Sequence, residues 1–441
     1  MNRSILLVLL LFAAVTSNAQ NFFQFEAAKS KVVVRFKLIN NLIFVPIKVN
    51  GVELNFLLDT GVEETILLSL EDKEEVRFFN AEKIKLKGLG SDVAVEGLKS
   101  SNNMLDFGGL IDKNHDLYIV LDQNFNFSAH VGIPVNGIIG YHFFKNNLVE
   151  VDYEKKRITV YQDNAKFRKK VAAKFDEIPI TIEKNKPYLL TGVRIAGEHL
   201  PAKLLIDIGN SDALWLFENK SKGIKIPQNN FSDYLGMGFS GEIYGNRARI
   251  SELQIGKFEF KNPIIAFPDS ASIKSVTMVK DRLGSAGGEI LKRFTVIFDY
   301  PERKMYLKKN SSFGNAFHYN MSGIELQNEG LQWVQETVVL QTQSISENNT
   351  YDGNGNKSNF KYKFSLKPIY IISSVRKNSA AELCGLQKGD AIKKINGVPS
   401  YYYSLAKIND LLKSEEGKWI NLLIIRNEIE MKYKFQLKSM L

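Results

Sequence analysis

A chain of 441 residues with 44% hydrophobic and 24% charged side chains has room for roughly three domains, and that balance excludes disordered, collagen-like and coiled-coil classes. Its 58 basic and 48 acidic residues leave a net charge of +10, but Lys and Arg are spread along the chain, which reads as a solvated surface and not a nucleic-acid footprint. The single cysteine, Cys384, can form no intrachain disulfide and no cysteine zinc site.

At the start, Met1 to Arg3 carries positive charge and Ile5 to Val15 is an apolar run. Ser17 and Ala19 then give the small-x-small pattern of a signal-peptidase site. Together they predict a leader over 1–19, cut before Gln20, and an exported protein of the periplasm or the extracellular space. The run is short for a permanent anchor, and no later stretch has the length and apolarity of a membrane span.

A long repeat follows. Phe56-Leu57-Leu58-Asp59-Thr60-Gly61 and Lys203-Leu204-Leu205-Ile206-Asp207-Ile208-Gly209 are apolar strands running into Asp-x-Gly, each preceded by a turn glycine, Gly51 or Gly197. Gly137-Ile138-Ile139-Gly140 is matched by Gly284-Ser285-Ala286-Gly287, and Val151-Asp152-Tyr153 by Phe298-Asp299-Tyr300. The offsets are 207 − 59 = 148, 284 − 137 = 147 and 299 − 152 = 147. One Asp-Thr-Gly is weak, since Asp and Gly are common turn residues; three blocks in phase point to duplication.

Between the blocks, Lys83 to Lys87 and Val149 to Val160 alternate as antiparallel strands. The glycine-rich stretches Gly88 to Gly97 and Gly236 to Gly245 are expected as hairpins overhanging a cleft. Short helices are expected at Leu70–Val76, Tyr141–Asn147 and Glu289–Lys292. The expected fold is mainly β: two tandem lobes, 20–165 and 166–312, related by a pseudo-twofold axis.

An Asp at the end of a buried strand is costly unless compensated. A twofold axis would bring Asp59 and Asp207 together, and two carboxylates that close share one proton. One can then take a proton from water while the other protonates a carbonyl oxygen, which is general acid–base hydrolysis. Asp59 and Asp207 as simple turn residues is the competing reading.

At these residues the chain resembles the retropepsin-like aspartyl peptidases, with both lobes in tandem as in pepsin-like enzymes. The resemblance implies a catalytic Asp59/Asp207 pair, a bracing hydroxyl on Thr60, close backbone approach at Gly61 and Gly209, and Ile138-Ile139-Gly140 threading beneath the Asp loop. The second lobe departs from the pattern: Ile208 stands where a hydroxyl is expected, and Ser285-Ala286 replaces the bulky pair. Asn210 is expected to give polar support to Asp207. The alternative is a protein of the same fold that binds peptides without turnover.

The five histidines show no H-E-x-x-H spacing, so no metal or other cofactor is expected. Asp152 and Asp299, each before Tyr in a strand that a turn follows, read as structural. The last part, 313–441, is a different module. Gln341 to Lys361 reads as a polar exposed loop, Pro368 to Val375 as a strand, Ser379 to Gly385 as a helix, and Lys388-Gly389-Asp390 to Asn396-Gly397 as turn, strand and hairpin turn. A second helix over Lys407 to Lys413 and closing strands over Trp419 to Arg426 and Glu430 to Leu437 complete it. This succession resembles bacterial PDZ domains of α+β fold. The resemblance implies a groove that takes C-terminal peptide tails by strand addition, with Gly323 and Ile324 in the carboxylate loop. The expected partners are peptide or protein substrates, with no nucleic acid.

Overall fold

The computed structural model describes residues 22–26, 29–68, 70, 76–86, 95–121, 126–238, 241–274, 278–339, 350–351, 357–358 and 360–441. The leader at 1–19 lies outside them. The chain forms two compact units, one of Met1–Phe127 with Pro134–Phe317, the other of Ser128–Ile133 with His318–Met440.

The first unit is built twice from one plan. Leu42–Val49 pairs antiparallel with Val52–Leu58, and Lys186–Ile195 with Glu198–Ile206. Both hairpins turn on two residues of positive φ, Asn50-Gly51 and Ala196-Gly197, the geometry that matches the twist of paired strands. The strand that ends in each Asp loop then gains a parallel neighbour, Gly137–Ile139 in the first lobe and Arg282–Ala286 in the second. Only the last three residues of that strand, Phe56-Leu57-Leu58 and Leu204-Leu205-Ile206, are all buried, and there the sequence is apolar without alternation.

A six-stranded sheet joins the lobes in the order Asp176–Pro179, Lys304–Lys309, Phe294–Asp299, Leu148–Asp152, Arg157–Tyr161, Lys31–Arg35. Its two central strands are antiparallel, with Glu150 opposite Ile297. Since 297 − 150 = 147, the repeat offset, the pseudo-twofold axis passes through that pair. At the ends of these strands Asp152 accepts from Lys155 N at 3.0 Å and Asp299 from Glu302 N at 3.2 Å. Both aspartates therefore hold turns.

The expected helices are single turns, Tyr141–Phe144 and Gly288–Leu291. Residues 71–75 of the third, Leu70–Val76, lie outside the described residues. The Gly88–Gly97 hairpin is flanked by Glu82–Leu86 and Val95–Asp106, paired Leu86 to Val95, with its tip at 87–94 not described. The other hairpin pairs Asn230–Gly238 with Gly241–Arg249, and 239–240 lie outside. Among the described residues no helix is long and apolar enough to cross a membrane.

The second unit has a six-stranded sheet with Ile324–Val339 at one edge, then Phe360–Val375, Ala391–Ile395, Trp419–Arg426 and Ile429–Gln436. Ala380–Leu383 and Leu405–Leu412 are its helices. The strand expected from Pro368 begins at Phe360, inside the stretch read as a polar loop; 341–349, 352–356 and 359 lie outside the described residues. Lys363, Ser365 and Lys367 alternate with Phe364 and Leu366, a strand period whose apolar side is here exposed, so it carries little burial signal. Trp333, directly opposite Leu366, is 71% exposed.

Candidate active site

The backbone brings the two Asp loops together through equivalent bonds. Asp59 N donates to Ile139 O and Asp207 N to Ala286 O, both at 2.9 Å. Beyond the crossing, Tyr141 N donates to Val62 O at 3.0 Å and Gly288 N to Asn210 O at 2.7 Å. The threading strand passes so close that only glycine fits at the crossing: a Cβ on Gly140 would lie 2.0 Å from Val62 O, and one on Gly287 2.3 Å from Asp212 O.

Across the axis the carboxyls of Asp59 and Asp207 face each other over Gly61. Both stay partly exposed. Gly61 and Gly209 form the walls. A Cβ on Gly61 would sit 3.1 Å from an oxygen of each Asp, and one on Gly209 2.2 Å from Asp59 Cγ. Gly61 N also donates to Asp59 Oδ1 at 2.7 Å. Burial, then the charge of Asp207, pushes Asp59 up to about 8. Burial raises Asp207 too, but Arg282 and then Lys186 hold it back. Both carboxyls are thus raised together, and the one proton they hold belongs to the pair.

Thr60 is fully buried and ties the two loops. Its hydroxyl donates to Ile206 O at 2.6 Å and accepts from Ile208 N at 3.1 Å. Ile208, equally buried, has no hydroxyl to make the reciprocal bonds, so the brace is one-sided. Asn210 differs from expectation: its oxygen accepts from Asp212 N at 2.9 Å, so it shapes its own loop and does not reach the Asp207 carboxyl. Its buried Nδ2 has no hydrogen-bond partner.

Several supports carry no motif that sequence reasoning could read. Asn41 on the first lobe donates to Ser211 O at 2.8 Å and Glu289 at 2.9 Å, and Asn185 on the second donates to Glu63 at 2.6 Å. Both sit in hairpin turns with positive φ, Asn40-Asn41 and Lys184-Asn185, and this shared turn chemistry was the available signal. In the second lobe, buried Arg247 bonds Asp233 at 2.6 Å and Asp212 at 2.7 Å, and Trp215 donates to Asp212 at 2.8 Å. That network fastens the Gly241–Arg249 strand to the Asp207 loop. His115 lies between Asp112 at 2.8 Å and Thr65 at 2.6 Å. All three are buried, so the cluster is a core tie with no access for a substrate.

In the second unit the expected carboxylate loop is already occupied. Asn320 Oδ1 accepts from Ser322 N at 3.1 Å, Ser322 Oγ at 2.6 Å and Gly323 N at 3.3 Å. Ile324 N donates to Ser322 Oγ at 3.2 Å. The N–H groups of Gly323 and Ile324, expected to hold a peptide terminus, thus donate to side chains of their own loop in this structure. Among the described residues no strand pairs with the outer side of the Ile324–Val339 edge.

Residues 45–143 match the family model described as aspartyl protease, and residues 371–426 match that of the PDZ domain. The chain carries an aspartyl protease-like domain and a C-terminal PDZ domain. A solved aspartic proteinase from Irpex lacteus aligns at a TM-score of 0.43 and 13% identity, over 65% of this chain and 99% of that one. The search of curated proteins finds no match. The aspartyl protease match spans the Asp59 loop and the Gly137–Gly140 block, and the PDZ match spans the Ala380–Leu383 helix and the Asn396-Gly397 turn.

Proposed function

We propose that the protein is an exported aspartic-type endopeptidase that hydrolyses peptide bonds through Asp59 and Asp207, with its PDZ domain holding peptide segments of the substrate. The observation that carries this reading is the pair of carboxyls that two equivalent Asp loops present to each other, an oxygen of each within 3.1 Å of one Cβ position on Gly61. Asp207, ionised, takes a proton from the attacking water as its oxygen bonds to the scissile carbonyl carbon. Asp59 gives its proton to the carbonyl oxygen. The resulting diol collapses as the C–N bond breaks and the amine leaves with a proton, so the enzyme forms no covalent intermediate. Thr60 keeps the loops in register.

The leader at 1–19 supports export to the periplasm or beyond. In the PDZ domain, strand addition at Ile324–Val339 supplies main-chain pairing, and a terminal carboxylate has to displace Asn320 from the Ser322 and Gly323 N–H groups. The missing hydroxyl at Ile208 favours a second reading, a peptide-binding protein without turnover. Digestion of a mixed peptide library by the mature protein over pH 3–8, beside Asp59→Ala, separates the two. Cleavage that the substitution leaves intact would sink the dyad; binding without cleavage at any pH would favour the second reading.

A further inference from the structure

The two lobes differ where a substrate would sit. In the second lobe Tyr188 pairs with Leu205 and Leu205 with Ser285, so the three side chains stand on one face. Two residues beyond that ladder, Lys186 is close enough for its charge to act on both Asp59 and Asp207. Arg282 enters from the parallel strand and donates to Ser285 Oγ at 2.9 Å and Gly284 O at 3.1 Å, its guanidinium lying 5.3 Å from the Phe217 ring centre.

The first lobe has the same three places. Phe44 pairs with Leu57, which makes Leu42 the counterpart of Lys186. Gly137 pairs with Phe56 as Gly284 does with Leu204, which makes Ile138 the counterpart of Ser285. Arg282 pairs with Lys203 across a register shift, so its counterpart is Asn136, whose side chain accepts from Asn55 N at 2.8 Å. Leu42 and Ile138 are buried and apolar, and Asn136 is buried and neutral. The first lobe thus has no cation at these places, and the second has two.

Those cations are costly as they stand. Both are half-buried, and burial pushes both pKa values down. Neither has a carboxylate in ion-pair contact among the described residues: the neighbouring Glu183 is held by Lys203 at 2.7 Å, and Glu63 takes its bond from Asn185. A partly desolvated cation persists where something repays the desolvation. The dyad's single negative charge is shared by both and touches neither.

We infer that Lys186 and Arg282 form an anion-binding subsite beside Asp207, which takes the side-chain carboxylate of a substrate Asp or Glu adjacent to the scissile bond. Arg282 supplies a planar fork and Lys186 a point charge, the pairing suited to a carboxylate. The inference rests on the peptidase reading for its scissile bond but not for its anion site.

The test uses the mature full chain and peptides blocked at both ends, in pairs that differ only by Glu or Gln beside the cleaved bond. The expected kcat/KM ratio of Glu to Gln peptide is about tenfold or more, falling towards one in Lys186→Met and in Arg282→Gln and kept in Lys186→Arg. A wild-type ratio near one, or a ratio the two neutral variants leave unchanged, overturns the inference while leaving the peptidase reading intact. If nothing is cleaved, the peptidase reading fails, and fluorescence anisotropy of the same labelled peptides decides the subsite alone. Tighter binding of the Glu peptide that Lys186→Met abolishes supports it, and equal binding overturns it.

Discussion

Replacing Asp59 by Asn is expected to make the protein more stable at neutral pH. Asp59 titrates from an ordinary 3.8 up to about 8 in the fold, so at pH 7 the folded chain keeps a proton that the unfolded chain has lost. Folding then takes up a proton, and stability falls as pH climbs from the unfolded value towards the folded one. Each unit of separation is about 1.36 kcal/mol, and 7 − 3.8 spans about three units, so the penalty at pH 7 has a ceiling of about 4 kcal/mol. Partial exposure of the carboxyl brings the expected gain to about 1–3 kcal/mol. Asn is neutral at every pH, has the same outline, and can still accept from Gly61 N and donate to Asp207. For a unit of this size the gain corresponds to roughly 2–5 °C in Tm. Calorimetry of the mature chain and of Asp59→Asn at pH 7 and pH 4 reads it directly. A variant no more stable at pH 7 would show that Asp59 is ionised in the fold, and an equal gain at pH 4 would assign the effect to packing.

The same titration sets the alkaline limb of activity, because Asp59 must carry its proton to act as the acid: cleavage is expected to persist to near pH 8 and then fall. Lys186 holds both carboxyls down, so Lys186→Met moves that limb to higher pH, and a limb that stays or moves lower refutes the assignment. Thr60→Val removes both bonds to the opposing loop and is expected to cost about 2–4 kcal/mol in urea denaturation, most of it recovered by Thr60→Ser. Gly209→Ala puts a Cβ 2.2 Å from Asp59 Cγ and is expected to cut kcat about 100-fold by displacing the acid; unchanged kcat would mean the pair is not the reaction centre. Asn320→Ala vacates the PDZ loop and is expected to raise affinity for a peptide with a free C-terminus over its amidated form, as read by calorimetric titration.

What could be read in the sequence was whatever backbone geometry forces on residue type. Asp-x-Gly, the glycine that ends each threading block, and Asp-Tyr before a turn are each dictated locally, and Gly140 and Gly287 show why: no side chain fits between the crossing strands. Their equal spacing therefore exposed the duplication and the architecture with it. Lys186 and Arg282 have no such mark. Arg282 is 75 residues from Asp207 (282 − 207) and reaches it only through parallel pairing, and Lys186 is an unremarkable lysine until its strand's register is known. Asn320 was equally silent, because a side chain that satisfies its own loop obeys the same turn chemistry as one that leaves donors free. The hairpin arm of Ile324–Val339 and Phe360–Val375 was obscured for another reason, since its apolar face is solvent-exposed and its lysines read as loop.

Duplication gives two aspartates the same backbone, and the same backbone would give them the same chemistry. An acid and a base are needed, so something must break the symmetry. Here the break is carried by side chains on one side only. Thr60 reaches into the second lobe and binds it from the first, while Ile208 returns nothing. Lys186 and Arg282 stand in the second lobe where Leu42 and Asn136 stand in the first. The charge of Arg282 favours the ionised form of Asp207, while that of Lys186 acts on both carboxyls. The first lobe has no cation at the matching places to do the same for Asp59. The substitutions that weaken the match of the second lobe to the first are thus among those that distinguish its aspartate. It follows that Leu42→Lys, which copies the second lobe's charge into the first, is expected to lower the Asp59 pKa and to bring the alkaline limb of activity down.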